Sequence, residues 1–233
     1  MAVAIVLAAG SGSRMNSNVA KQYITLYDKE IVYYSLYTFQ NNNNISDIIL
    51  VTRDSDVDLC KTIVQKNNFS KISQIIIGGK ERYNSVYNGL NALSVSDDEI
   101  VMIHDGARPF VTDQMIEDSI INARKYDACT VCVPVKDTIK ISDENGFGKQ
   151  TPDRRYLYQI QTPQTFKYGV IKAAYNKMLE DENHKITDDS MLVEQYSGVK
   201  TKLIQGSYEN IKITTPEDID IAKIFAKKIL KKF

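Results

Sequence analysis

Val3-Ala-Ile-Val-Leu-Ala-Ala9 is a continuous apolar run ended by Gly-Ser-Gly, and no feature of the chain constrains its fold more. An unbroken run of this length, without polar alternation, describes a strand buried on both faces, and such strands belong to parallel sheets covered by helices. Further strand patterns lie at 47–52, 72–77, 99–104 and 128–133, alternating with helical patterns at 30–40, 56–67, 82–93 and 112–126. This rhythm predicts an α/β fold, Rossmann-like and doubly wound, with a mostly parallel sheet and ligands at the carboxyl ends of the strands. Gly10, Gly79 and Asp105 all fall at such ends.

After Pro134 the rhythm breaks. Residues 135–160 read as a hairpin, with alternating Thr138-Ile-Lys-Ile141, a turn of Asp143-Glu-Asn-Gly146 and a polar return. So polar an excursion has little to bury against its own domain, so it either stands in solvent or packs on a second copy of the chain. Helical patterns resume at 168–181 and 188–196, a strand follows at 199–205, and a last helix opens at Thr215-Pro-Glu-Asp218, with Thr as cap and Pro at the first position. At 233 residues, the length suits one large α/β domain over 1–233, with an inserted arm at about 135–160.

Composition excludes several function classes. Lys plus Arg is 29 and Asp plus Glu is 29, so the field that draws a protein onto nucleic acid or anionic membrane is missing, and neither is expected as a partner. No apolar run approaches the roughly 18 residues of a membrane span. The N-terminal stretch has no basic residue ahead of its apolar run, unlike a secretory signal, so a cytoplasmic location is expected. Cys129 and Cys132 resemble a CxxC pair, but in a strand positions three apart face opposite sides, so they read as buried strand cysteines.

The chemistry concentrates in Leu7-Ala-Ala-Gly-Ser-Gly-Ser-Arg-Met15, followed by Lys21-Gln22. Glycines directly after a buried strand let backbone N–H groups converge on phosphate oxygens. A dinucleotide fingerprint wants a third glycine where Met15 stands, and a P-loop wants four residues between its glycines and then Lys-Ser/Thr. The loop instead carries Arg14 and, seven residues on, Lys21, two strong cations suited to a triphosphate whose charge grows during reaction.

This loop with Lys21-Gln-Tyr23 resembles that of the sugar-phosphate nucleotidylyltransferases. The further motifs Gly78-Gly-Lys-Glu-Arg-Tyr-Asn-Ser-Val86, His104-Asp-Gly-Ala-Arg-Pro109, Pro134-Val-Lys-Asp-Thr-Ile-Lys140, Thr151-Pro-Asp-Arg154, Gln161-Thr-Pro-Gln164, Thr187-Asp-Asp189 and Asn210-Ile-Lys-Ile-Thr-Thr-Pro-Glu-Asp218 resemble the 2-C-methyl-D-erythritol 4-phosphate cytidylyltransferase family over nearly the whole chain. Two positions depart from its usual pattern, Ala20 where Pro is usual and Gly106 where Ala is usual.

The resemblance implies a role for each matched residue. Arg14, Lys21, Arg154 and Lys212 would be the catalytic cations, the first two on the triphosphate of CTP. Ala8, Ala9, Gly10, Gly12, Gly79 and Ser85 would surround the nucleotide. Asp105 would hold Mg2+, and Asp105, Arg108, Thr138, Arg154, Thr162 and Lys212 would meet a sugar-alcohol phosphate, with the arm crossing to a second subunit of a homodimer. Ribitol 5-phosphate is the alternative acceptor. The chemistry agrees with the residues: a phosphate monoester with a second pKa of about 6 is already a competent nucleophile at neutral pH, so charge neutralisation matters more than a general base. The chain has only two histidines, and His104, at a strand end, reads as structural.

Overall fold

The computed structural model describes residues 1–10 and 19–230. Strand β1 (Ala2–Ala8) leads through a 3-10 turn at Lys21–Tyr23 into a small antiparallel pair, β2 (Thr25–Leu26) and β3 (Lys29–Glu30). Then come α1 (Ile31–Asn41), β4 (Ile45–Thr52), α2 (Val57–Lys66), β5 (Ile72–Ile77), α3 (Arg82–Asn91), β6 (Ile100–Asp105), α4 (Asp113–Tyr126) and β7 (Ala128–Pro134). The chain continues with β8 (Ile141–Ser142), β9 (Gly148–Gln150), β10 (Tyr158–Lys167), α5 (Tyr168–Leu179), α6 (Asp189–Ser197), β11 (Lys202–Gln205) and α7 (Pro216–Leu230).

The central sheet has the order β11-β7-β10-β6-β1-β4-β5. Only β10 runs against its neighbours, so the sheet is mostly parallel, as the alternation of patterns predicts. The side chains of β1 divide by parity, as a two-residue period requires. Ala2, Ala4, Val6 and Ala8 enter one core with Val32, Leu36 and Phe39 of α1 and Ile116 and Ile120 of α4. Val3 and Ile5 enter the opposite core with Val86 and Leu90 of α3 and Ile171, Tyr175 and Met178 of α5. A third cluster seats Ala222 and Ala226 of α7 against Leu26, Ile31 and Phe110.

From β1 the chain moves outward through β4 to β5, then returns through α3 to place β6 on the other side of β1. The crevice beyond the carboxyl ends of β1 and β6 is therefore the switch point where such sheets bind ligands.

Strand β10 corrects the sequence reading. Tyr158–Ile160, expected in the arm, pair with Pro134–Cys132 of β7, and Gln164–Lys167, expected in no element, pair with β6. Pro163 hides the strand, because proline cannot donate to a ladder. The structure accommodates it with a register shift between Ile160 and Gln164, which leaves Gln161, Thr162 and Pro163 out of the β7 pairing. The intervening segment holds the short antiparallel pair β8–β9. At its tip the Asp143 carboxylate accepts from the N–H groups of Asn145 and Phe147, and Gly146 takes a positive φ of 84°. Residues 138–140, expected to open that hairpin, are not in the ladder, which begins at Ile141.

Cys129 and Cys132 lie buried in β7. Burial pushes their thiols up, to about 12 and about 11 respectively, so neither is a reactive thiolate.

Candidate active site

Two recesses open at the switch point. The first is lined by Ala9 and Gly10 after β1, Lys21 and Gln22, and the Gly79–Ser85 stretch that leads into α3. The second is lined by Arg108, Ile160 to Thr162, Gln164, Thr187 and Asp188. Arg82, Asp105 and Lys212 line both, so the two recesses meet at this group.

Local contacts fix the walls. Gln22, buried, donates from Nε2 to the carbonyls of Ala8 at 2.5 Å and Gly10 at 3.1 Å, which ties the end of β1 to the turn carrying Lys21. The preceding Ala20 has φ −62° and ψ 137°, a backbone that proline would also adopt, so the departure at this position leaves the turn in the same conformation. Across the cleft, a Cβ on Gly78 would lie 2.6 Å from Ala9 Cβ, and one on Gly79 would lie 2.2 Å from Asn84 Cβ. Glycine is therefore required there by close approach. The Ser85 hydroxyl accepts from Gly79 N–H at 3.1 Å and donates to the Glu81 carbonyl at 3.3 Å.

At the tip of β6, Arg82 Nε donates to Asp105 Oδ1 at 3.3 Å, and Lys212 Nζ lies 2.7 Å from Asp105 Oδ2. Burial by itself would raise the Asp105 carboxyl, but the charges of Arg82, Lys212 and Arg108 outweigh it and hold the group well below the usual carboxylate range. Asp105 is thus a fixed anion at neutral pH. Arg108 donates to the carbonyls of Asn210 at 2.7 Å and Ile160 at 3.4 Å.

Beneath the cluster lies a hydrogen-bond chain. Asp105 N–H donates to Thr162 Oγ1 at 3.1 Å, and Thr162 Oγ1 is 3.1 Å from His104 Nδ1. The other ring nitrogen, Nε2, is 2.9 Å from the Arg108 carbonyl. A carbonyl only accepts, so Nε2 carries the proton and Nδ1 accepts from the threonine hydroxyl. Burial lowers the His104 pKa to about 4, in keeping with this neutral ring. His104 is structural, as its place at a strand end suggests.

The profile of the family described as "IspD: 2-C-methyl-D-erythritol 4-phosphate cytidylyltransferase" matches residues 2–228. The chain belongs to this cytidylyltransferase family. It is 47% identical over 228 residues to the 2-C-methyl-D-erythritol 4-phosphate cytidylyltransferase of Clostridium botulinum (strain ATCC 19397 / Type A), covering 98% of this chain and 96% of that one. The enzyme of the same name from Lachnospira eligens is 46% identical, with 97% and 100% covered. Among solved structures, the 4-diphosphocytidyl-2C-methyl-D-erythritol synthase of Anaerococcus prevotii DSM 20548 superposes with a TM-score of 0.85 at 38% identity, over 97% of this chain and 95% of that one. The chain is accordingly a nucleotidyltransferase, and its activity is CTP-dependent cytidylyl transfer to 2-C-methyl-D-erythritol 4-phosphate rather than to ribitol 5-phosphate.

Of the cytidylyltransferase residues expected from sequence, Ala9, Gly10, Lys21, Gly79, Ser85, Asp105, Arg108, Thr162 and Lys212 all line one or both recesses. Ala8 is buried in the core, with its carbonyl taken by Gln22. Gly12 and Arg14 lie outside the described residues. Thr138 and Arg154 are on the exposed segment after β7, where Arg154 donates to the Lys136 carbonyl at 2.6 Å, and among the described residues neither lines either of these two recesses. Sequence reading assigned no role to Arg82 or Asp189. Both stand inside quoted motifs, but an acidic residue in the first turn of a helix is ordinary, so nothing in the local sequence set Asp189 apart.

Proposed function

We propose that cytidylyl transfer occurs where the two recesses meet, with the nucleotide in the first and the acceptor phosphate in the second. The observation that carries this reading is the sharing of Arg82, Asp105 and Lys212 by both recesses. An acceptor phosphate oxygen attacks the α-phosphorus of CTP. A new P–O bond forms as the bond from that phosphorus to the oxygen bridging to the β-phosphate breaks, and pyrophosphate leaves with the electron pair. Lys21, with Arg14, neutralises the growing charge on the triphosphate, and Lys212 with Arg108 aligns the acceptor phosphate. No side chain has to remove a proton.

Asp105 suits Mg2+, which prefers one or two carboxylates together with substrate oxygens and water. Its oxygens accept one cation contact each, which leaves lone pairs for a metal ion. Held by Asp105, the ion would supply positive charge to offset that of the phosphates.

Thr138 and Arg154 complete the acceptor recess of a second subunit in a homodimer. Support comes from the segment that bears them: Ile139, Ile141, Phe147 and Tyr156 are exposed on it, and Tyr158 and Ile160 are exposed where β10 begins beside it. Apolar side chains clustered on one exposed arm are a surface for a partner, and an isologous pairing would bury both arms at once. CTP is a cytoplasmic metabolite, and the reaction is assigned to that compartment. Among the described residues, no helix is long and apolar enough to cross a membrane.

Pyrophosphate release tests the reading. With CTP and Mg2+, 2-C-methyl-D-erythritol 4-phosphate should turn over faster than ribitol 5-phosphate, and UTP should be a poor donor. Equal or faster turnover of ribitol 5-phosphate would overturn it.

A further inference from the structure

Arg82 bridges two carboxylates. Its Nε faces Asp105 Oδ1 at 3.3 Å, and its Nη2 lies 2.8 Å from Asp189 Oδ2. Asp189 is the first residue of α6, fully buried, and too far inside to meet a substrate. Its position is fixed from several sides. The Tyr175 hydroxyl, on α5, donates to Asp189 Oδ1 at 2.6 Å. The Gln164 side-chain carbonyl, on β10, accepts from the N–H groups of Asp189 at 2.9 Å and Ser190 at 3.0 Å. The Gln164 amide in turn donates to Asp188, whose other oxygen caps α6 at Met191 N–H.

A buried carboxylate is costly unless paired, and this one spends its charge on an arginine that the cleft already contains. The planar guanidinium can serve two carboxylates through different nitrogens at fixed geometry, which a lysine ammonium cannot reproduce. One end of the bridge is anchored in the packed interior of α5, α6 and β10, and the other end holds Asp105 at the meeting of the recesses. We propose that Asp189 is a positioning residue for cytidylyl transfer, acting through Arg82 to hold Asp105 in place. The inference rests on the reading of Asp105 as part of the reacting site.

The test is steady-state pyrophosphate release with CTP, 2-C-methyl-D-erythritol 4-phosphate and Mg2+, alongside thermal melts, for wild type, Asp189→Asn, Arg82→Lys and the double variant. If Asp189 acts through Arg82, Asp189→Asn lowers kcat per folded molecule by about 10-fold or more while KM for CTP moves by less than about 3-fold. The double variant is then no slower than the slower single, because both changes break one linkage. An unchanged kcat in folded Asp189→Asn, or losses that multiply in the double variant, would overturn the proposal. Should Asp189→Asn fail to fold, Tyr175→Phe, which removes only the hydroxyl on Asp189 Oδ1, decides the matter: kcat falls by about 3-fold if the anchor matters and stays at the wild-type value if it does not. Inactive wild-type enzyme would overturn the functional reading along with this one, whereas active wild type with an equally active Asp189→Asn overturns this one alone.

Discussion

Lys212 Nζ lies 2.7 Å from Asp105 Oδ2, and this pair joins a segment near the end of the chain to the tip of β6 in its middle. Lys212 comes from the irregular stretch after β11, which is held to β10 by Asn210, whose amide donates to the Thr162 carbonyl at 3.0 Å, and to the loop after β6 by Ile213 N–H, which donates to Ala107 O at 2.9 Å. The cleft is thus assembled from parts far apart in sequence, and Asp105 is their common partner.

Replacing Asp105 should expose that dependence. Asp105→Asn leaves Arg82, Lys212 and Arg108 facing one another without their anion, and it removes the carboxylate proposed to meet Mg2+. The Mg2+ concentration for half-maximal rate should rise. A metal titration unchanged from wild type would remove Asp105 as a ligand.

His104 should make stability depend on pH. Its folded pKa of about 4 lies below the ordinary 6.5, so between these values the unfolded chain takes up a proton that the folded chain refuses. Stability is therefore complete above about pH 6.5 and falls as the pH drops toward 4, by about 2 kcal/mol between pH 7 and 4.5. Denaturant unfolding of wild type and His104→Gln at the two pH values checks this. The substituted protein should show the smaller drop, and identical drops would show that His104 is not the group responsible.

The turn before Lys21 offers a test by stabilisation. Ala20 already has φ −62°, so Ala20→Pro should restrict the unfolded chain without strain and stabilise the fold by about 0.4–1 kcal/mol. A lower Tm would show that the N–H at position 20 or the residue before it cannot accept proline.

Sharing of sites between subunits can be tested by mixing. Lys21→Ala damages the body of a site and Arg154→Ala damages the arm, so each homodimer should be nearly inactive. In a mixed isologous dimer one site carries both lesions and the other none. Co-refolding equal amounts should restore about a quarter of wild-type activity per chain. No recovery in confirmed mixed dimers would mean that Arg154 acts within its own chain or not at all.

Much of the fold was legible because buried parallel strands leave unbroken apolar runs, as at 3–9 and 100–103. The strand at Tyr158–Lys167 was not, since its Gln and Pro residues serve the site at the expense of strand pattern. Lys21, Asp105 and Lys212 could be named from motifs. The pairing of Arg82 with Asp189 could not, because it joins the starts of α3 and α6 through tertiary packing that no local spacing encodes.

If the cleft accelerates transfer by neutralising charge that grows in the transition state, Lys21 should bear much of the effect. It is buried in its turn and lines the nucleotide recess beside Gly10. Kinetics of Lys21→Ala with CTP and 2-C-methyl-D-erythritol 4-phosphate should show kcat reduced by about 10²-fold or more, roughly 3 kcal/mol, with a much smaller change in KM for CTP. A rise in KM for CTP with kcat intact would contradict the account, because Lys21 would then bind ground state and transition state alike.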